Sequence, residues 1–228
     1  EYAMLMLNLF ASQGLSTRDV TGCAISSVVP PLTPVFAELA QRYVNQEPTV
    51  IGPGVKTGIN IRTDNPSEVG ADLIVNAVAA RQLYGTPAIV IAFGTATAFS
   101  AISAQGDFLG VAIAPGIGTG AEALFRFAAK LPQVELARPP RAIGKNTIHS
   151  MQSGLIFGYA GLVEGLVKRI EAELGGGAHV IATGGLAELV AAETNVIQEV
   201  EPDLTLIGLC LIYQMNQEAR RQGDKTTR

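Results

Sequence analysis

Residues 89–110 read IVIAFGTATAFSAISAQGDFLG, and the fold turns on how they are divided. Ile89 to Phe93 are apolar without interruption, the pattern of a strand buried on both faces. Gly94-Thr95-Ala96-Thr97 interrupts the run, a second apolar stretch follows, and Gly106-Asp107 supplies a tight turn before a third. The reading is a meander of three strands, 88–94, 98–103 and 108–114. Such a unit opens an α/β sheet and is not a βαβ crossover.

Upstream of it the chain reads α-β-α-β-α: helix 3–13, strand 22–29, helix 34–45, strand 48–52, and helix 67–84 with Ser67 as its N-cap. Downstream come helix 121–130, the Pro-rich connector LPQVELARPPRAIG (131–144), helix 150–174 and strand 179–185. Helix 186–193, strand 195–200 and helix 204–217 complete the order, with a polar tail after them. Without three strands and one helix, the second series repeats the first. The expectation is an α/β protein of two lobes of one type, 1–86 and 87–228, the first lacking its opening strands. The chain begins EYAMLMLNLF, already helical and without an initiator methionine, so a segment upstream is expected as well.

Composition excludes several functions. A net charge of −4 with no long basic run argues against nucleic acid and against anionic membranes. No apolar run is long enough to span a bilayer. Cys23 and Cys210 sit in apolar settings and read as core thiols of a reducing cytoplasm; with His149 and His179 they make no zinc site.

Three glycine loops and one carboxylate are the candidate sites. The turn at Gly94, Thr95 and Thr97 offers backbone N–H groups and hydroxyls suited to phosphate oxygens, or is a hairpin whose threonines pair across strands. Thr183-Gly184-Gly185 runs from a strand into a helix start, a place for an anion or a packing glycine pair. Gly116-x-Gly118-x-x-Ala121 fits a dinucleotide fingerprint with Glu135 as its acid, although the strand before it closes a meander. Asp72 follows Gly70 on the first turn of a helix among Leu73, Ile74 and Val75. It is either a general base in an apolar cleft or an acid complementing the helix dipole.

Taken in order, DNPSEVGAD (64–72), FGTAT (93–97), LGVAIAPG (109–116), LPQVEL (131–136), IGKNT (143–147), SMQSG (150–154), TGGLA (183–187) and LTLIGL (204–209) resemble the type III pantothenate kinases. The resemblance implies two actin-like, ribonuclease H-like lobes of the acetate and sugar kinase/actin superfamily. It implies ATP-dependent phosphorylation of pantothenate to 4'-phosphopantothenate, the first step of coenzyme A biosynthesis, with Mg²⁺ and a monovalent cation, K⁺ or NH4⁺. By the same resemblance Asp72 is the base and Gly70 lines the pantothenate pocket. Gly94, Thr95, Thr97, Gly184 and Gly185 serve ATP. Thr147 reaches the pantothenate of a partner subunit, so a cytoplasmic homodimer is implied.

The chain departs from the family pattern at the same places. Leu73 replaces an arginine that would hold the pantothenate carboxylate, and Ala92 replaces an aspartate that serves the cation. Thr63, Ala98, Ser100 and Ile207 replace an aromatic, a threonine, an aspartate and a glutamate. The family's amino-terminal phosphate loop, Asp-x-Gly-Asn-Thr, is absent from these residues. These changes are expected to leave phosphorylation of pantothenate very poor or absent, with no single reversion restoring it. An inactive relative that binds nucleotide or a protein partner, and an NAD(P)-dependent oxidoreductase, are the rival readings.

Overall fold

The computed structural model describes residues 2–226. The first segment is helix α1 (Tyr2–Ser12), strand β1 (Ala24–Ile25), helix α2 (Thr33–Leu39) and strand β2 (Thr49–Val50). Pro34 opens α2, and a π turn over Ala40–Val44 ends it at Asn45, whose φ of 55° is left-handed. β1 and β2 are parallel, Ala24 opposite Thr49 and Ile25 opposite Val50. The expected strand at 22–29 shortens to two residues because β2 is its one ladder partner and Pro30-Pro31 follows.

Helix α3 (Ala71–Tyr84) starts four residues later than expected. Pro66–Glu68 forms a separate 3-10 turn, Val69 is extended, and Gly70 rather than Ser67 is the N-cap. Gly85, with φ of 81°, ends the helix.

The meander is present: β3 (Ala88–Phe93), β4 (Ala96–Ile102) and β5 (Phe108–Pro115). Helix α4 (Ile117–Phe127) follows, then α5 (Thr147–Leu174), β6 (His179–Thr183), α6 (Ala187–Ala191), β7 (Glu199–Val200) and α7 (Leu204–Thr226). The five-stranded sheet has the order β5-β4-β3-β6-β7, antiparallel through β5, β4 and β3 and parallel through β3, β6 and β7. β7 is shorter than the 195–200 expected, because Gln198 replaces part of the ladder: its side-chain oxygen takes the Val180 N–H at 2.5 Å.

The sheet is covered on both faces, which is why β3 carries no polar residue. Val90, Ala88 and Ile181 pack with Ile74, Val75 and Val78 of α3 and with Leu204 and Ile212 of α7. Ile89, Ile91 and Phe93 face the other way, against Leu155, Val163 and Val167 of α5. Full burial of each such side chain stabilises by about 1.5–3 kcal/mol. α7 closes tightly on α3 at Gly208, where a Cβ would overlap the Val75 carbonyl. Farther along, Asn216 holds the Lys56 backbone through both its N–H and its carbonyl, at 3.1 and 2.8 Å. α7 thereby ties the small sheet to the large one. Both cysteines are free thiols, but Cys210 is exposed on α7 rather than in the core.

Candidate active site

The register brings the glycine loops to one end of the large sheet. Ala92 lies beside Thr183 in the parallel pair β3–β6, so Gly94-Thr95 and Gly184-Gly185 leave the sheet together. Phe93 pairs with Thr97 and Ala96 with Pro115, which adds the Gly116–Gly120 loop to the same end. The loops touch. A Cβ at Gly184 would overlap the Phe93 carbonyl oxygen, and one at Gly116 would lie 2.6 Å from the Thr95 carbonyl oxygen. Gly184 also has φ of 98°, which favours glycine. Gly185 is exposed and has open space at its Cα. Gly94 and Thr95 are exposed at the tip of their turn.

Asp72 reaches this end from α3. The Tyr84 ring, at the far end of α3, stacks on His179 with centroids 5.4 Å apart. His179 starts β6 and donates its N–H to Pro87 O at 2.9 Å, just before β3. α3 therefore runs antiparallel to β3, and its first turn, ~20 Å away at 1.5 Å per residue, lies at the loop end. Ala92 and Thr183 point to the face that α3 covers, since they alternate with Ile91 and Ala182 of the other core. Half-buried Asp72 has its Oδ1 where a Cβ on Gly70 would come within 2.6 Å of it, and the same Cβ would lie 3.7 Å from Val28, just after β1. A bare Gly70 thus leaves the carboxylate its room. An apolar cavity of about 340 Å³ adjoins this turn, lined by Ile51, Pro53, Val55, Val69, Ala71 and Ile74 among others.

Two expected site residues do not bring their side chains to the loops. Thr97 is 0% exposed, its hydroxyl has no partner, and it shares the α5-facing side of β4 with Phe99. Thr147 is exposed at the start of α5. Twelve residues on, Tyr159 donates its hydroxyl to Pro115 O at 2.6 Å, so Thr147 stands ~18 Å beyond the loops, on the other side of the sheet from α3. Burial pushes the Tyr159 phenol up, and it remains a donor. Sequence reasoning picked out the Gly116–Gly120 loop but not what Thr119 does in it. Its hydroxyl donates to Thr95 O at 2.7 Å, a contact between residues 24 apart that no spacing announces.

The dinucleotide reading finds no footing, since β5 is an edge strand antiparallel to β4 and the loop after it lies outside any parallel βαβ unit. Among the described residues no group of three His, Cys, Asp or Glu gathers as a metal site. Ala92 has Ala98 and Thr183 as ladder neighbours, so no carboxylate stands there for a monovalent cation.

The chain matches the type III pantothenate kinase family over residues 1–169. A type III pantothenate kinase of Roseiflexus sp. (strain RS-1) is 60% identical over 216 residues, which are 95% of this chain and 85% of that protein. The crystal structure of a Baf family transcriptional activator from Campylobacter jejuni has a TM-score of 0.58 at 18% identity, covering 91% of this chain and 89% of its own. The activator of the 2-hydroxyisocaproyl-CoA dehydratase from Clostridium difficile, with ADPNP bound, has a TM-score of 0.53 at 16% identity, covering 97% and 83%. At those identities the two structures show a shared fold and nothing more. Neither the family nor the relatives lend support to an oxidoreductase or to an inactive copy.

Proposed function

Because the chain belongs to the type III pantothenate kinase family, we propose that Gly94, Thr95, Gly184 and Gly185 hold the phosphates of ATP while Asp72 takes the proton of the pantothenate hydroxyl. The family's reaction, transfer of the ATP γ-phosphoryl to pantothenate at the first step of coenzyme A synthesis, is the function of the chain. One observation carries the residue assignment: three strand-end loops and the first turn of α3 share one end of the large sheet.

Phosphoryl transfer through a loose transition state asks for alignment and charge neutralisation more than for covalent chemistry. Thr95 and the Gly184-Gly185 loop present backbone N–H groups to the phosphates at no cost of reorganisation, while Gly94, whose N–H closes on Ala96 O, shapes the turn. Asp72, on the opposite rim, orients the hydroxyl and accepts its proton as the bond to phosphorus forms. The divalent metal of the kinase reaction, such as Mg²⁺, neutralises phosphate charge when bound. It would keep most of its waters and be held mainly by the substrate phosphates, so it asks for no cage of side chains, and among the described residues none gathers. The monovalent cation fits less well, because Ala92 offers it no ligand, and no step is assigned to it. In this reading Thr97 supports the phosphate turn from β4, where it pairs with Phe93 and Ala114, and its hydroxyl stays buried.

Thr147 acts on the pantothenate of a second subunit in this reading. Its distance from the loops of its own chain supports that, as do the exposed Ile143 and Ile148 beside the start of α5. Free thiols suit a cytoplasmic reaction.

The test assays the purified protein with ATP, Mg²⁺ and pantothenate, beside Asp72→Asn and Thr95→Val. Turnover lost in the first and weakened toward ATP in the second supports the assignment. Full activity in Asp72→Asn sinks it.

A further inference from the structure

Thr95 is gripped from behind by α4. Its carbonyl oxygen accepts the Gly116 N–H at 3.0 Å and the Thr119 hydroxyl at 2.7 Å. The start of α4 is itself fixed, because Tyr159 of α5 donates to Pro115 O at 2.6 Å. The Gly94 N–H is taken by Ala96 O at 3.0 Å. Among the described residues, no hydrogen bond takes the N–H or the hydroxyl of Thr95, which is exposed at the tip. The turn's remaining donors thus belong to the residue whose carbonyl is anchored.

We infer that Thr119 is a positioning residue for the ATP phosphates, acting through Thr95. The inference rests on the reading of the Gly94–Thr95 turn as a phosphate contact. A single donor at a carbonyl is a hinge, because the oxygen has two lone pairs and the peptide can turn about one bond. The second donor, from a helix side chain, fixes the rotation of the Thr95–Ala96 peptide. The planar trans peptide then directs the Ala96 N–H away from α4, and with its carbonyl fixed Thr95 itself is held in one orientation, its free N–H and hydroxyl with it. Donors aimed in advance at phosphate charge cost no reorganisation during transfer, so loosening them weakens the reaction without removing any group that touches substrate. Thr119 is exposed, and its loss leaves the core intact.

The experiment compares the protein with Thr119→Val, which keeps the shape and loses the donor, and Thr119→Ser, which keeps the donor. Each is measured for kcat and KM toward ATP and toward pantothenate, for ATP affinity by calorimetry, and for melting temperature. Loss of one neutral hydrogen bond predicts a fall in kcat/KM for ATP of roughly three- to tenfold in Thr119→Val. The pantothenate KM and the melting temperature stay unchanged, and Thr119→Ser restores the ATP value. Unchanged ATP kinetics in Thr119→Val overturn the inference, as does an equal loss toward both substrates with a lowered melting temperature. Thr95→Val in the same series separates the two readings. If it weakens ATP while Thr119→Val does not, the Thr119 role alone fails. If it leaves ATP unaffected, the phosphate turn fails and the Thr119 role with it.

Discussion

Gly184 rests on the backbone of Phe93 so closely that the Phe93 nitrogen would lie 3.1 Å from any Cβ, and the Phe93 carbonyl oxygen closer still. Neither partner is a flexible side chain, so β3 and the loop after β6 have no means of giving way. Gly184→Ala adds a methyl in this space at a left-handed φ of 98°. The expected cost is about 1–3 kcal/mol, or a fall in melting temperature of roughly 2–6 °C. The ATP KM rises with it, since the displaced strand end carries Gly94. An unchanged melting curve would contradict the contact.

Asp72→Asn removes the base and leaves the geometry. General-base loss predicts a fall in kcat of roughly 100- to 10,000-fold with the ATP affinity kept. Gly70→Ala tests the same carboxylate from outside: the new methyl, 2.6 Å from Oδ1, forces Asp72 to rotate, and kcat falls while the fold persists. A Gly70→Ala protein with wild-type kcat would show that the carboxylate position does not matter.

Leu73 stands next to the base with no charge to offer the pantothenate carboxylate. Leu73→Arg supplies a bidentate donor, and a hydrogen bond to a charged group predicts a pantothenate KM lower by roughly tenfold or more. Leu73→Lys gains less, because an ammonium is a point charge without the planar fork. Steady-state kinetics at saturating ATP read the difference. An unchanged KM in both would locate the carboxylate elsewhere.

Ala92 predicts a cation response. With Ala98 and Thr183 as its ladder neighbours, the unsubstituted protein is expected to turn over at the same rate when K⁺ replaces Na⁺. Ala92→Asp introduces a carboxylate at the end of β3 and creates K⁺ stimulation. Strong K⁺ activation of the unsubstituted protein would mean that other oxygens hold the ion.

Asp107 gives the fold a pH dependence away from the site. The Asn60 amide at 2.8 Å, and then the Arg62 guanidinium at 3.0 Å, hold its carboxyl below the usual carboxylate range. The folded state therefore binds this proton less readily than the unfolded one. The stabilisation is complete above the ordinary value near 4 and is lost as the pH falls through the lowered one. Thermal melts of Asp107→Asn should lie below the wild type at neutral pH and converge with it in acid. A constant gap at every pH would remove Asp107 from the account.

Much of the fold was legible because burial leaves a periodic record. β3 reads as a continuous apolar run since α3 and α7 cover one face and α5 the other. Gly106-Asp107 marks its turn, and Gly85 its helix end, because a positive φ selects glycine. Features that depend on a distant partner were misjudged. The strand at 22–29 has the right residues but one ladder partner, and Cys210 sits in an apolar sequence on the exposed side of α7. Ser67 has the chemistry of a cap, yet Pro66 starts a separate turn and the cap passes to Gly70.

The sequence by itself determined the element order, the three glycine loops and the carboxylate on a helix start, each written in a short window by chain stereochemistry and hydrophobic period. It also carried the family, through eight motifs in order. Tertiary structure alone decided which of these meet. Strand register and the antiparallel course of α3 bring Asp72 to the end of the sheet where Gly94 and Gly184 emerge. The same packing turns the Thr97 hydroxyl into the opposite core and carries Thr147 away along α5. Thr119 meets Thr95 only because the β4–β5 pairing folds 24 residues back on themselves. Local pattern fixes what a segment becomes, whereas contact between segments depends on side-chain volumes and hydrogen bonds that are complete only when the whole sheet is packed.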